Sequence, residues 1–512
     1  MTETRTKNTS RNIVAGLINR AVSTLLPFIN RTILIYTLGM QYAGLSSLFL
    51  SILSVLSLAE LGFNTAIVYS MYKPIANDDT ESVCELLTLF RKIYFYVGIT
   101  ILFFGLMLVP FLPRLINGEI PASVNIYILY FLYLSNTVIG YFLFSYRESI
   151  LLACQRQDLS QMIRTSVIIF QYVIQALILL IFKSFYLYLI IAIICTLLTN
   201  IGLYFETKKR YPNYKCLKHR RLTVPNKMKT MVGSLLLGRI CDQARNSLDS
   251  IILSMYLGLT LVAIYNNYYF IYSALYGIIL TICNSLSASV GNSIVTESVE
   301  KNYDDLNKFS FMAMWVYGLF SICMLCMYQP FMQLWVGKTM MLSDFNMLLF
   351  CVYFYIINMS NIRNQYINGN GLWNKLRITY IVEAVSNITL NIVLGKLYGV
   401  TGIILATILT MLFFNFLWRT AILFKNYFSW NDFYAYILKN FFWMSCVFVT
   451  GIATFCICEI SSLLISNLLI KLLINLIFCI IFSNGMLYLC FFKTTQFKNT
   501  KSFCLRLFRN RR

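Results

Sequence analysis

The stretch KTMVGSLLLGRICDQARNSLDSIILSMYL, residues 229–257, is apolar enough to cross a bilayer yet carries Arg239, Asp242, Arg245 and Asp249. Spacings of three, three and four put these groups on one face of a 3.6-residue helix. That face cannot meet lipid, because an ionisable group at membrane depth is costly unless it meets water or a partner. Two readings follow. The charges line a watery transport path, or the two Arg and two Asp pair locally and hold neighbouring helices in register. Polar faces recur on other helices, which favours the first.

Of 512 residues 58% are hydrophobic and only 12% charged, against roughly 45–50% and 25% in soluble domains. Apolar runs near the ~20 residues of a spanning helix recur throughout, and the ten-residue alternation of a barrel is absent. The expected fold is an all-α polytopic membrane protein of about 14 transmembrane helices. Their expected positions are 12–37, 42–70, 87–110, 122–146, 165–182, 185–205, 230–256, 262–293, 309–330, 342–362, 376–395, 400–418, 440–458 and 472–492. With the amino terminus inside, 33 Lys and Arg fall in inner segments and five in outer ones, so both termini are expected in the cytoplasm.

The net charge of +22 is thus loop and tail charge, and no nucleic-acid partner is expected. The polar start is followed by an apolar run with Arg20 and Pro27 and no small-residue cleavage site, so the first span is expected to be retained. The 15 cysteines are scattered through apolar segments. The only CxxC, at Cys323 and Cys326, has no His or acidic neighbours, so the cysteines read as small apolar residues and no metal or cofactor is expected.

The longest basic connector, residues 207–229, follows six spans and divides the chain. Residues 1–206 form a first six-helix lobe, 230–430 a second, 431–492 helices 13 and 14, and 493–512 a basic tail. The connector's basic clusters face the anionic inner leaflet, as a topology signal, and hold the sole histidine, His219. Sliding the sequence by 219 residues lays Arg20 on Arg239 and Leu38-Gly39 on Leu257-Gly258, with six of 36 positions identical from Ile13 to Leu48. Spans one and seven would then be equivalent helices, each ending in a tight Leu-Gly turn. Parallel repeats facing a cavity are one recurring transporter plan.

The first span has its own polar face, with Arg20, Pro27 and Arg31. Pro27 removes a backbone hydrogen bond and makes either a hinge or a static kink there. The second span carries a Ser stripe, Ser47, Ser51, Ser54 and Ser57, with Glu60. Polar walls continue at Asn284 in span eight, Asn364 after span ten, and Glu383, Asn387 and Asn391 in span eleven. Amides, hydroxyls and Tyr suit sugar hydroxyls, and the planar fork of Arg suits phosphate. Within the spans four Arg balance Glu60, Asp242, Asp249 and Glu383. The anion site must therefore rest on distribution, and span one, with two Arg and no acid, is the stronger place.

The chain resembles the lipid-linked oligosaccharide flippases of the polysaccharide-transport branch of the multidrug/oligosaccharidyl-lipid/polysaccharide exporter superfamily. The resemblance lies in the basic start Thr6-Lys-Asn-Thr-Ser-Arg-Asn-Ile, the Leu38-Gly39 turn, and Ser57-Leu-Ala-Glu-Leu-Gly-Phe-Asn64. It continues in Leu248-Asp249-Ser-Ile-Ile-Leu-Ser with Leu257-Gly258, and in Asn387-Ile-Thr-Leu-Asn-Ile-Val-Leu394 with Tyr398-Gly-Val-Thr-Gly402 and Ala406-Thr407. Gly395-Lys396-Leu397 departs from the Pro of many relatives.

The resemblance implies two six-span lobes with two appended helices. It also implies a polyprenyl-pyrophosphate-linked oligosaccharide, turned from the inner to the outer leaflet of a bacterial plasma membrane for capsule or O-antigen export. On that reading Arg20, Arg31, Arg239 and Arg245 engage the pyrophosphate during alternating access. Asn284, Asn364 and Asn387 serve the sugars, and spans 13 and 14 offer a groove for the prenyl tail. Glu60, Asp242, Asp249 and Glu383 are the candidates for coupling to a proton or cation. Membrane lipids and a polysaccharide polymerase are the expected partners. A multidrug antiporter of the same superfamily would want an acidic cavity. A polymerase or ligase would want a large outer loop, and external segments here reach about a dozen residues, so no enzymatic activity is expected.

Overall fold

The computed structural model describes residues 5–57, 63–117, 120–121, 123–216, 226–462 and 467–509. These residues form helices and connecting turns. By contacts the chain divides into two compact units, Met1–Ala263 and Ile264–Arg512.

The first unit contains α1 (Arg5–Leu38), α2 (Met40–Leu56), α3 (Phe63–Ala76), α4 (Thr80–Leu108), α5 (Ile126–Phe142), α6 (Glu148–Ala153), α7 (Gln157–Ile181), α8 (Phe185–Arg210) and α9 (Asn226–Leu257). The division between units falls inside α10 (Leu259–Ser285). The second unit continues with α11 (Ser287–Thr296), α12 (Val299–Val336), α13 (Asp344–Met359), α14 (Asn361–Gly369), α15 (Arg377–Tyr398), α16 (Val400–Thr410), α17 (Arg419–Asn426), α18 (Trp430–Ser462), α19 (Leu468–Phe491) and α20 (Thr495–Arg509). A π-helical stretch, Met411–Trp418, joins α16 to α17.

Several long helices begin at side-chain caps that satisfy amides with no intrahelical partner. Asn125 accepts from the amides of Tyr127 and Ile128, Ser184 from Leu187, and Asn467 from Leu469 and Ile470. Along α7, α18 and α19 large apolar residues such as Ile181, Leu438 and Ile481 are two-thirds exposed. In water such bands would aggregate; here they are the surface offered to lipid.

Eleven helices of the described residues are long and apolar enough to span a membrane, or twelve with α5 and α6 joined across a 46° bend. The sequence expects fourteen. The two others coincide with α2–α3, where α2 has only 17 residues, and with α9, a 32-residue helix diluted by its charges. The protein is thus an all-helical polytopic membrane protein.

Both expected Leu-Gly turns are present. α1 ends at Leu38 and turns through Gly39 at φ 103° into α2; α9 ends at Leu257 and turns through Gly258 at φ 86° into α10. Positive φ is available to glycine without Cβ strain. The carboxyl end of α9 is bound into the first unit: the Asn117 amide donates to the Ser254 carbonyl at 3.0 Å and its side chain to that of Tyr256 at 3.0 Å. Its middle packs on α2, where Ser247 donates to Ser54 at 3.1 Å and Gln243 reaches both hydroxyls.

Candidate functional site

In the first unit α1 packs along α7 through two amides. Asn19 donates to Thr165 at 2.9 Å, and Asn30 to the Tyr172 carbonyl and Gln175, each at 3.3 Å. Residues 19 and 30 are eleven apart, three helical turns, so they share a face. Arg20 and Arg31 follow each by one residue and project ~100° round the helix from the α7 contact.

Arg31 is half-buried. Its guanidinium donates to the Ser47 hydroxyl and to the Ala263 carbonyl, both at 3.3 Å, and the Tyr133 and Tyr188 hydroxyls lie within its field. Arg20 is exposed. Arg20 follows the apolar run Ile13-Val-Ala-Gly-Leu-Ile18 of the sequence. Pro27 lies between them in an unbroken helix.

On α9 the expected stripe is resolved in part. Arg245 and Asp249 are buried, at 5% and 4% exposure. Asp242 is nearly half exposed and takes a 3.3 Å ion pair from Arg245. That pair is the local partnering the sequence left open as its second reading. The side chain of Arg239, and Glu60 and His219 altogether, lie outside the described residues.

Between α4, α5, α7 and α8 lies a polar cavity of about 370 Å³, lined by Tyr94, Asn136, Thr137, Tyr141, Thr199 and Asn200, with Glu148 and Arg164. It forms because the bend after Phe142 frees main chain that side chains must then satisfy. Ser145 donates back to the Gly140 carbonyl and contacts Asn200, and Thr196 donates to Asn136 at 2.7 Å. Arg164 holds Glu148 with both arms, Nε at 3.0 Å and Nη2 at 2.5 Å. The sequence reading put Arg164 in an inner loop and passed over Glu148. Their sixteen-residue spacing across a bend carries no periodic signal.

The second unit holds two arginines that were assigned to inner loops. Arg363 is fully buried and Arg419 is 4% exposed. Arg363 donates to the Phe416 carbonyl at 3.1 Å and to Thr420 at 3.2 Å, with further bonds to Asn415 and to Asn364 Oδ1 at 2.6 Å. Arg419 pairs with Glu383 at 2.6 Å and lies 4.2 Å over the Tyr380 ring. The expected spans ended at 362 and 418, one residue short of each; the helical segments run on to Gly369 and Asn426. Both guanidinium groups are therefore buried among packed helices rather than carried on loops.

The three candidate amides separate. Asn387 is fully buried, donating to Thr407 at 3.4 Å and Thr410 at 3.2 Å and accepting from Asn391; it ties α15 to α16. Asn364 orients Arg363. Asn284 is exposed and accepts from Gln365 at 3.1 Å. An apolar cavity also touches α18, though none of its lining residues comes from α19, which a groove between spans 13 and 14 would include. Of about 360 Å³, it lies between α12, α13 and α18, walled by Ile322, Leu325, Val352, Met444, Val447 and Phe448.

No protein family model matches the sequence, and no curated protein matches it. Solved structures do. The structure of the lipid II flippase MurJ in an inward closed conformation aligns with 94% of this chain and 99% of its own at 16% identity, TM-score 0.64. An inward-facing multidrug resistance MATE family transporter of the MOP superfamily covers 79% of this chain and 96% of its own at 15% identity, TM-score 0.61. A MOP superfamily transporter from Pyrococcus furiosus, whose binding pocket has reverse polarity, covers 81% and 95% at 15% identity, TM-score 0.54. The chain has the fold of these transporters.

Proposed function

We propose that the chain is a flippase that carries a polyprenyl-pyrophosphate-linked oligosaccharide from the inner to the outer leaflet of a bacterial plasma membrane by alternating access. The observation that carries this is the excess of buried positive charge in the second unit, whereas the first unit buries Arg245 with Asp158 and Asp249. Among the described residues of the second unit, Arg363 and Arg419 are buried against Glu383 alone. A cargo that is itself cationic would be repelled by such an excess, whereas a pyrophosphate is drawn to it.

The other parts suit the same cargo. Arg20, exposed on α1, meets the anion first, and Arg31, ~16 Å further along the helix, receives it next. The amide, hydroxyl and Tyr lining of the 370 Å³ cavity suits a sugar, and the apolar groove beside α18 suits the prenyl chain. Asp242 is the better coupling candidate, since it is nearly half exposed and its 3.3 Å pair with Arg245 is looser than the buried 2.6 Å pair of Glu383 with Arg419. The 94% cover of this chain by the flippase structure, against 79% by the multidrug exporter, agrees with this choice.

The test is expression in a strain that lacks its own flippase. The wild-type protein is expected to restore surface glycan and drain the accumulated lipid-linked precursor, and the Arg31→Ala protein, inserted at equal level, to leave the precursor in place. Drug tolerance gained without any glycan would establish the multidrug reading instead.

A further inference from the structure

Three thiols from three helices of the second unit meet at one point, with a fourth one turn away. Cys326 on α12, Cys458 on α18 and Cys479 on α19 are buried, and their sulfur atoms lie within 4.8 Å of one another. Cys323, one turn before Cys326 and half-buried, stands beside this group on α12, its thiol facing that of Cys479. In sequence only the Cys323–Cys326 pair is visible, because Cys458 and Cys479 follow more than a hundred residues later.

The framework around the sulfurs is fixed on both sides. One turn from Cys458 and Cys479, Thr454 and Ser483 share a buried 3.1 Å hydrogen bond. One turn to the other side of Cys479, Asn475 donates to the Cys326 carbonyl at 3.1 Å, while its Oδ1 is buried with no partner among the described residues. The donors thus stand on rigid helices, the arrangement a metal site needs in order to hold its geometry.

We propose that Cys323, Cys326, Cys458 and Cys479 form a buried thiolate site for one zinc ion. Sulfur donors alone, without imidazole or carboxylate, select a soft ion, and four sulfurs about one centre give the tetrahedron that zinc takes. Zn–S bonds of ~2.3 Å set neighbouring sulfurs ~3.8 Å apart, so the separations among Cys326, Cys458 and Cys479 close by up to about 1 Å, and the Cys323 side chain turns in from the preceding turn of α12 to complete the set. Binding displaces the thiol protons to solvent; the ion offsets two of the resulting charges, and the field of Lys471, which reaches Cys458, acts in the same direction. Zinc there clamps α18 and α19 onto α12, directly behind Ile322 and Leu325 in the wall of the apolar groove. The site stands independently of the transport reading.

The test uses the full-length protein in detergent under a non-chelating reductant. Wild type is expected to retain about one zinc per chain after exhaustive dialysis. After exchange for Co2+ it is expected to show sulfur-to-cobalt charge-transfer absorption, and a chelator should lower its melting temperature. Cys479→Ser is expected to lose the zinc and the absorption and to melt at one temperature with or without chelator; Cys458→Ser gives the same readout should the first variant not fold. Cys446→Ser, whose thiol meets Cys490 elsewhere along α18 and α19, is expected to keep all three. A monodisperse wild-type protein that takes up neither zinc nor cobalt overturns the proposal, as does a Cys479→Ser protein that binds them as wild type does.

Discussion

At the scale of single residues the decisive groups are arginines, and their surroundings separate their roles. Arg31 is half-buried and donates to a hydroxyl and a carbonyl, and the proposed pyrophosphate would offer it a stronger acceptor than either. A charge-assisted hydrogen bond contributes about 1.5–3 kcal/mol, and each 1.4 kcal/mol is about tenfold in an equilibrium. Arg31→Ala is accordingly expected to cut glycan export by about ten- to a hundredfold in the complementation assay, with Arg31→Lys between it and wild type, because lysine keeps the charge and loses the fork. Wild-type export from both variants would remove Arg31 from the cargo path. Arg419 is different, since it is buried against Glu383 at 2.6 Å. Breaking such a pair strands a charge at a cost of about 3–5 kcal/mol, whereas replacing both partners by apolar residues is often nearly neutral. Glu383→Leu is therefore expected to lower the unfolding midpoint sharply, and Glu383→Leu with Arg419→Met to recover most of it. If the double variant is as stable as wild type but transports nothing, the pair serves transport; if neither single nor double variant changes stability, the buried pair is not structural.

At the scale of helices, small residues decide how closely the chain packs. A Cβ on Gly402 would lie 1.9 Å from the Leu394 carbonyl oxygen, and one on Gly44 2.1 Å from that of Leu259. Both obstacles are main chain, so a methyl group must push whole helices apart. In membranes such close approach is what small residues contribute to helix association. Gly402→Ala is expected to cost about 1–3 kcal/mol, read as a lower melting temperature in detergent; an unchanged melting temperature would show that α15 and α16 do not pack this tightly. Much at this scale was legible in the sequence. Leu38-Gly39 and Leu257-Gly258 mark tight turns because two apolar runs meet at the one residue that accepts positive φ, and both turns are found. The rest was hidden for physical reasons. Arg363 and Arg419 stand one residue past the expected span ends, where a buried guanidinium and a loop guanidinium read alike. Asn387 was expected to serve a sugar, yet it is fully buried and spent on Thr407 and Thr410, and the two uses look identical in a sequence. The Glu148–Arg164 pair depends on a bend, and the four thiols depend on the packing of α12, α18 and α19. Neither leaves a periodic trace.

At the scale of the whole molecule the distribution of basic residues sets how the chain lies in the membrane. Setting aside the buried Arg363 and Arg419 reduces the inner total from 33 to 31, still against five outer ones at Arg114, Lys183, Lys338, Lys396 and Lys471. Because Lys and Arg flanking a span are retained on the cytoplasmic side, this bias predicts an inner carboxyl terminus and an outer turn at Lys338. That turn lies between α12 and α13 and begins with Gly337 at φ 86°, so an inserted reporter meets no packed helix there. A fluorescent protein that matures only in the cytoplasm, fused after Arg512, is expected to fluoresce. Alkaline phosphatase, active only outside, is expected to be active when inserted after Lys338 and inactive when inserted after Tyr427, between α17 and α18. The assignment matters for mechanism as well as topology. Arg20 precedes Arg31 on α1, so with an inner amino terminus the proposed substrate, assembled on the inner leaflet, meets Arg20 first. A phosphatase signal after Tyr427, with none after Lys338, would invert the chain, put Arg20 at the exit, and reverse the order in which Arg20 and Arg31 meet the pyrophosphate.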